Sequence, residues 1–114
     1  MPTQTFTDPQ TFSIVPAGAP DVVAEVLGCS LFFPAQVATD YSVPFQVTNQ
    51  GTADAPSGTV EITLTAGDQS FVRVIGFPPL SPGQSQTINA ILNVPIPGYE
   101  APGSCSATIR VVTQ

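Results

Sequence analysis

The sequence predicts an all-β protein, built as an antiparallel β-sandwich of about seven short strands. Apolar and polar residues alternate with a period of two in several segments, the pattern of strands that bury one face. The 13 prolines and 9 glycines fall mostly between these segments, where such residues form turns. No segment has the apolar spacing of an amphipathic helix. A sandwich is therefore expected, and a small closed barrel is the structural alternative.

Six strand segments are predicted, near 21–28, 41–48, 59–65, 70–76, 86–94 and 104–112, and all but one of them carry the alternation. The segment 70–76 is apolar on both faces, and Pro34 is expected to end any strand pairing within 29–36. Apolar positions of the other five segments are predicted to face the core: Val22, Ala24, Val26, Tyr41, Val43, Phe45, Val47, Val60, Ile62, Leu64, Ile88, Ala90, Leu92, Val94, Cys105, Ala107, Ile109 and Val111.

Two parts are predicted along the chain. Residues 1–20 read as an extended N-terminal arm that four prolines interrupt, and residues 21–114 form the sandwich domain. A short alternation at 11–15 gives the arm a weak strand signal. The N-terminus has neither a basic region nor an apolar stretch, so no signal peptide is visible.

The charge content excludes several classes of partner. There are two Arg, no Lys, no His and eight acidic residues, for a net charge of −6. Such a chain repels nucleic-acid phosphates and anionic lipid surfaces. No apolar run approaches the roughly 18–20 residues of a membrane span. We therefore expect no nucleic-acid binding and no membrane insertion, and a surface of uncharged polar residues typical of extracellular or virion proteins.

The residue types also argue against catalysis. General acid–base chemistry at neutral pH usually relies on His, Lys, Cys or a perturbed pair of carboxylates. His and Lys are absent, and the acidic residues are scattered, mostly through turns. No CxxC pair or calcium-binding loop pattern occurs. The prediction is a protein that is not an enzyme, with no cofactor and no bound metal.

Cys29 and Cys105 are far apart in the sequence. If consecutive strands alternate in direction, Cys29 after the first strand and Cys105 at the start of the last lie at the same end of the sandwich. A disulfide is then geometrically allowed. Two free, buried thiols are an equally weighted alternative.

Three short motifs carry a resemblance to a known family. Pro20-Asp21 opens the first strand, Asn49-Gln50-Gly51-Thr52-Ala53 follows the second, and Leu80-Ser81-Pro82-Gly83-Gln84-Ser85 precedes the fifth. With these motifs, residues 20–113 resemble the CARDB family, a bacterial cell-adhesion-related domain. The resemblance implies an immunoglobulin-like β-sandwich of about seven strands in an extracellular or surface setting. It implies no ligand and no catalytic residue.

Family members usually continue past a strand such as 107–112 into one more edge strand, so one sheet of this chain is expected to lack an edge. The N-terminal arm is the candidate cover, on its own domain or on a neighbour's, with segment 10–15 adding a strand. A flexible tail is the alternative. The arm residues expected to make contacts are Phe6, Phe12, Ile14 and Val15.

Phe32, Phe33, Phe77 and Tyr99 fall in predicted loops or segment ends, and we expect them to form a contact patch. The functional prediction is a non-enzymatic structural or interaction protein, preferably a virion surface component such as a bacteriophage capsid decoration. An adhesion or spacer module of a bacterial cell-surface protein is the alternative, and a carbohydrate-binding module is a weaker one. The expected partners are copies of the chain itself or a larger assembly such as a capsid shell.

Overall fold

Two antiparallel sheets form a sandwich. A computed structural model describes residues 18–113. Its strands are β1 (Val22–Val26), β2 (Ser30–Pro34), β3 (Thr39–Asn49), β4 (Gly58–Ala66), β5 (Gln69–Phe77), β6 (Ser85–Val94) and β7 (Ser106–Thr113). A single 3-10 turn, Gly98–Glu100, lies between β6 and β7. In the first sheet β3 is central, with β6 on one side and both β1 and β2 on the other; in the second, β4 lies between β5 and β7. The predicted fold class is confirmed.

Strand β3 organises the first sheet. It pairs along almost its full length with β6, from Thr39↔Val94 to Thr48↔Ser85. On its other side β1 and β2 follow one another, and the pairing is interrupted around Pro44. The Pro44 carbonyl accepts a hydrogen bond from the Leu27 amide (2.8 Å). Because the N and O of one strand residue point to the same side, the donor that proline lacks faces this interruption.

No strand was predicted within residues 29–36, but one forms there, and its pairing ends at Pro34 as expected. Residues 30–34 form β2, which pairs with β3 up to Pro34↔Thr39, and the register shifts between Leu31 and Phe33. Pro34 is tolerated because β2 is an edge strand, whose outer side needs no ladder partner. The extra residue in the bulge is Phe32, which changes the direction of the side chains that follow.

The core lies between the sheets and consists mainly of the predicted inward positions. Its largest fully buried apolar side chains are Tyr41, Phe45, Ile62, Leu64 and Leu80. Burial of each such side chain contributes about 1.5–3 kcal/mol relative to exposure. Some inward residues of the edge strands are only partly buried, because no further strand covers them: Ala24, Val26, Phe71, Ile75, Ile88, Ala107, Ile109 and Val111.

Asn49 holds together the end of the sandwich where β1 begins and β3 ends, which we call the loop end. Its side chain is fully buried. Oδ1 accepts hydrogen bonds from the amides of Asp21 (3.1 Å) and Gly51 (2.9 Å). Nδ2 donates to the carbonyls of Ala53 (2.8 Å) and Leu80 (3.1 Å). One amide side chain thus satisfies two backbone donors and two backbone acceptors, as a buried polar group requires.

A disulfide joins the two sheets near the opposite end. Cys29, between β1 and β2, is bonded to Cys105, just before β7, with 5.7 Å between their Cα atoms. The sequence left open whether these cysteines are bonded or free; in the structure they are bonded. Because 76 positions separate the two residues, the bond closes most of the domain into a loop.

Candidate contact surface

Apolar side chains are exposed together at the end of the sandwich that holds the β2–β3 hairpin and the 3-10 turn. Phe32 is 58% exposed, Phe33 60%, Val37 80% and Tyr99 83%. We call this end the aromatic end and its four residues the aromatic-end patch. Successive strand residues normally point to opposite faces. The bulge at Phe32 lies on an uncovered edge strand, where it leaves two consecutive phenylalanines exposed.

The position of Tyr99 depends on the glycine that precedes it. The Gly98 amide donates to the Ala35 carbonyl (2.6 Å). A Cβ atom on Gly98 would lie only 2.7 Å from Pro34 Cβ. Only glycine therefore fits this close approach without a shift of the backbone. The result is a shallow groove between hairpin and turn, lined by Pro34, Ala35, Gln36, Gly98 and Tyr99.

The prediction was wrong for Phe77, which is buried (3% exposed) and belongs to the core. The sequence placed it one residue beyond the strand at 70–76, but β5 extends to Phe77 and pairs it with Gly58. Phe77 then continues the inward parity of Phe71 and Ile75. Val37 was not predicted, since its only signal is an apolar residue in a tight turn. Phe6, Phe12, Ile14 and Val15 lie outside the described residues, and their contacts stay a prediction.

Both arginines are engaged away from this patch. Arg110 Nε donates to Glu61 Oε1 (2.9 Å) on the outer face of the second sheet. Arg73 Nη2 donates to the carbonyl of Asn93 in β6 (2.9 Å), and its guanidinium lies 5.9 Å from the centre of the Phe71 ring. Arg73 therefore bridges the open side between β5 and β6. Both arginines therefore make contacts within the chain.

The described residues offer little reactive chemistry. Both thiols are in the disulfide. No group of three or more His, Cys, Asp or Glu residues in this part of the chain is placed to hold a metal ion. Burial raises the pKa of Tyr41, whose hydroxyl donates to the Pro102 carbonyl (2.8 Å). This tyrosine acts as a neutral structural donor.

The three sequence motifs come together at the loop end of the sandwich. The motif at 49–53 contains Asn49, and Asp21 of the first motif is one of its partners. In the motif at 80–85, the Gln84 amide donates to the Ser81 carbonyl (2.9 Å) and the Gln84 side chain accepts from the Ser81 amide (2.8 Å). Gly83 supplies a left-handed turn conformation (φ 80°). All three motifs therefore close the loop end.

Comparison with protein-family models matches residues 20–114 to CARDB. The chain belongs to the CARDB family. Comparison with curated proteins and with solved structures gives no match. CARDB is a non-catalytic, adhesion-type domain family, so membership indicates an adhesion-related or surface module. No helix among residues 18–113 is long and apolar enough to cross a membrane.

Proposed function

We propose that this CARDB domain is a non-enzymatic contact module of a surface assembly, and that it binds copies of itself through the aromatic-end patch. The observation that carries the proposal is the concentration of all three exposed aromatic side chains of residues 18–113 at one end, joined there by Val37. Aromatic residues are enriched in protein–protein interfaces. Burial of apolar surface there contributes about 25 cal/mol per Å² before the costs of association.

A row of polar side chains on the first sheet's outer face supports the choice of this end. Polar side chains there bond to one another across β3 and β6: Thr48 Oγ1 with Ser85 Oγ (2.8 Å), Ser42 Oγ with Asn89 Oδ1 (2.8 Å), and Asn93 Nδ2 with Asp40 Oδ1 (2.8 Å). These groups already have partners within the chain. A second molecule gains less by replacing such hydrogen bonds than by covering exposed aromatic rings.

The setting that we propose first is the surface of a virus particle, with the domain as a capsid decoration. A small, disulfide-clamped sandwich with exposed aromatic side chains at one end is suited to repeated contacts in a shell. The alternative is an adhesion or spacer module of a cell-surface protein, which family membership favours. Antibodies against the domain, used for immunogold labelling of purified virus particles and of cell envelopes, should separate the two settings.

Sedimentation velocity of the full chain over a wide concentration range tests self-association. The wild type should form larger species as concentration rises, and a Phe33→Ser/Tyr99→Ser variant should associate at least tenfold more weakly. The matched control is Val72→Ser/Val74→Ser, which changes two side chains 51% and 60% exposed on the outer face of the second sheet. It should associate like the wild type. A wild type that stays monomeric at every concentration would contradict the proposal.

A further inference from the structure

Strand β7 is the described sheet edge with the least protection against further pairing. It ends the second sheet and pairs only with β4 among the described strands. The other edges carry devices that discourage strand addition. The β1–β2 edge has an interruption, a bulge and Pro34, and Arg73 bridges the side between β5 and β6. In contrast, β7 is eight residues long and contains no proline, and its register against β4 is regular from Ser106 to Val111, with a shift only at its C-terminal end.

The apolar residues beside this edge are incompletely covered. Ala107, Ile109 and Val111 of β7 pack against the core but are only partly buried, as are Ala24 and Val26 of β1. Strand β1 approaches β7 without pairing to it. A strand added beside β7 would bond to backbone groups on its free side and cover these side chains. The structure therefore presents both requirements of strand addition, an unprotected ladder and an apolar strip.

We propose that the free edge of β7 binds an extended segment from a second copy of this chain, and that residues 10–15 supply it. The proposal rests on the proposed self-assembly. Within that segment Thr11 and Ser13 alternate with Phe12 and Ile14, which matches a strand with one apolar face. The apolar face would add Phe12 and Ile14 to the partly buried strip.

The tether is long enough to reach a neighbour. Thr52 fixes the start of the described chain, because its Oγ1 accepts from the Gly18 amide (3.0 Å) and its amide donates to the Ala19 carbonyl (3.0 Å). At about 3.3 Å per residue, extended residues 10–15 would reach roughly 10–26 Å from Gly18. In its own copy, the chain enters β1 directly from these anchored residues, and β1 lies beside β7 without pairing to it.

Amide hydrogen exchange of the full chain tests the pairing. At assembling concentrations, the β7 amides should exchange at least tenfold more slowly than in dilute solution. Ile14→Pro should remove this extra protection, because proline lacks the N–H that a central pairing position needs. The matched control, Thr5→Pro, lies outside the segment and should retain it. Protection lost in Ile14→Pro but independent of concentration would assign the strand to the chain's own arm and overturn the inference.

A synthetic peptide of residues 8–17 separates this inference from the proposed function. Titrated into the full-length, 15N-labelled Ile14→Pro variant, it should shift the amide resonances of β7, whether or not the aromatic end associates. Absence of any β7 shift would overturn strand addition and leave assembly through the aromatic-end patch standing. Peptide binding by a wild type that never associates would contradict the proposed self-assembly and would show that the β7 edge accepts a strand which no second copy supplies.

Discussion

The two ends of this sandwich are closed in different ways. At the loop end, Asn49 uses its whole hydrogen-bonding capacity on neighbouring backbone, and Ala55 and Leu80 exchange two backbone bonds of 2.8 and 2.9 Å. Both Ala55 and Leu80 are buried. At the aromatic end, Phe33 and Tyr99 remain largely exposed. The motifs that carry the resemblance to CARDB therefore stabilise one end, while the exposed aromatic side chains lie at the other.

A disulfide and a few hydrogen bonds from side chains hold the aromatic end together. The Cys29–Cys105 bond joins the two sheets toward this end, and the hydroxyl of Tyr41 reaches the 102 carbonyl. Thr39 Oγ1 donates to the Ile96 carbonyl (2.6 Å) and is fully buried. These contacts hold the backbone and leave the side chains of Phe33 and Tyr99 exposed. If this end binds a partner as proposed, a backbone held in this way lowers the entropy cost of binding.

Loss of the disulfide should have the largest effect. Cys29→Ala/Cys105→Ala should lower the free energy of unfolding by about 4 kcal/mol, because the bond closes a loop between residues 76 positions apart. Denaturant unfolding measures the change. The wild type treated with reductant should lose a similar amount. Equal denaturation midpoints with and without reductant would show that the aromatic end does not depend on this bond.

Substitution of Asn49 should have the next largest effect. Asn49→Ala leaves two backbone donors and two acceptors without their partner, and should lower the free energy of unfolding by about 3 kcal/mol. The control is Asn89→Ala, whose exposed side chain bonds only to Ser42 among the described contacts; its cost should be below about 0.5 kcal/mol. Equal losses in the two variants would remove the basis for treating the loop end as the stabilised one.

Substitution of Gly51 tests how closely the backbone packs at the loop end. A Cβ atom there would lie 2.3 Å from the Ala19 carbonyl oxygen and 2.6 Å from the Asp21 amide nitrogen. Gly51→Ala should therefore cost about 2 kcal/mol, since backbone must move to accommodate the methyl group. Gly103→Ala, where a Cβ would meet nothing within 4 Å, should be close to neutral. Thermal unfolding of the pair measures the difference, and equal melting temperatures would contradict it.

The strand content and most of the core could be predicted because period-two alternation reports directly which face is buried. Tyr41 and Ile62 follow this rule. The β2 strand could not be predicted in this way, because its five residues do not alternate and end in proline. Its pairing depends on the neighbouring β3, which a local pattern does not contain. The prediction of an exposed Phe77 was wrong for a related reason, since the end of a strand is set by pairing with its partner strand.

The candidate site was predicted only in part. Phe32, Phe33 and Tyr99 were expected at a contact patch, and the structure places all three among exposed residues of the aromatic end. What brings Tyr99 to the hairpin is the contact of Gly98 with Pro34 and Ala35. That contact joins residues more than 60 positions apart and has no signature in either segment alone. The sequence therefore predicted which aromatic residues are exposed at this end, but not the groove between the hairpin and the 3-10 turn.

The Tyr41 hydroxyl should have the smallest effect, and one that depends on pH. Tyr41→Phe removes the bond to the Pro102 carbonyl and should cost about 1 kcal/mol at neutral pH. Tyr99→Phe, at an exposed position, is the control and should cost less than about 0.5 kcal/mol. Urea unfolding at pH 7 measures both, and the same cost in each variant would contradict a specific role for the buried hydroxyl.

The sign of the alkaline effect follows from burial, which raises the pKa of Tyr41 above its ordinary value of 10.0. Above pH 10 the unfolded chain releases this proton while the folded chain still holds it. The free energy of unfolding should therefore fall as pH rises beyond 10. It should fall less steeply in Tyr41→Phe, which has no proton to lose at this position. If the free energy of unfolding fell equally in the two proteins between pH 9 and 11, water would have access to the Tyr41 hydroxyl. The difference between the two ends of the sandwich would then rest on Asn49 alone.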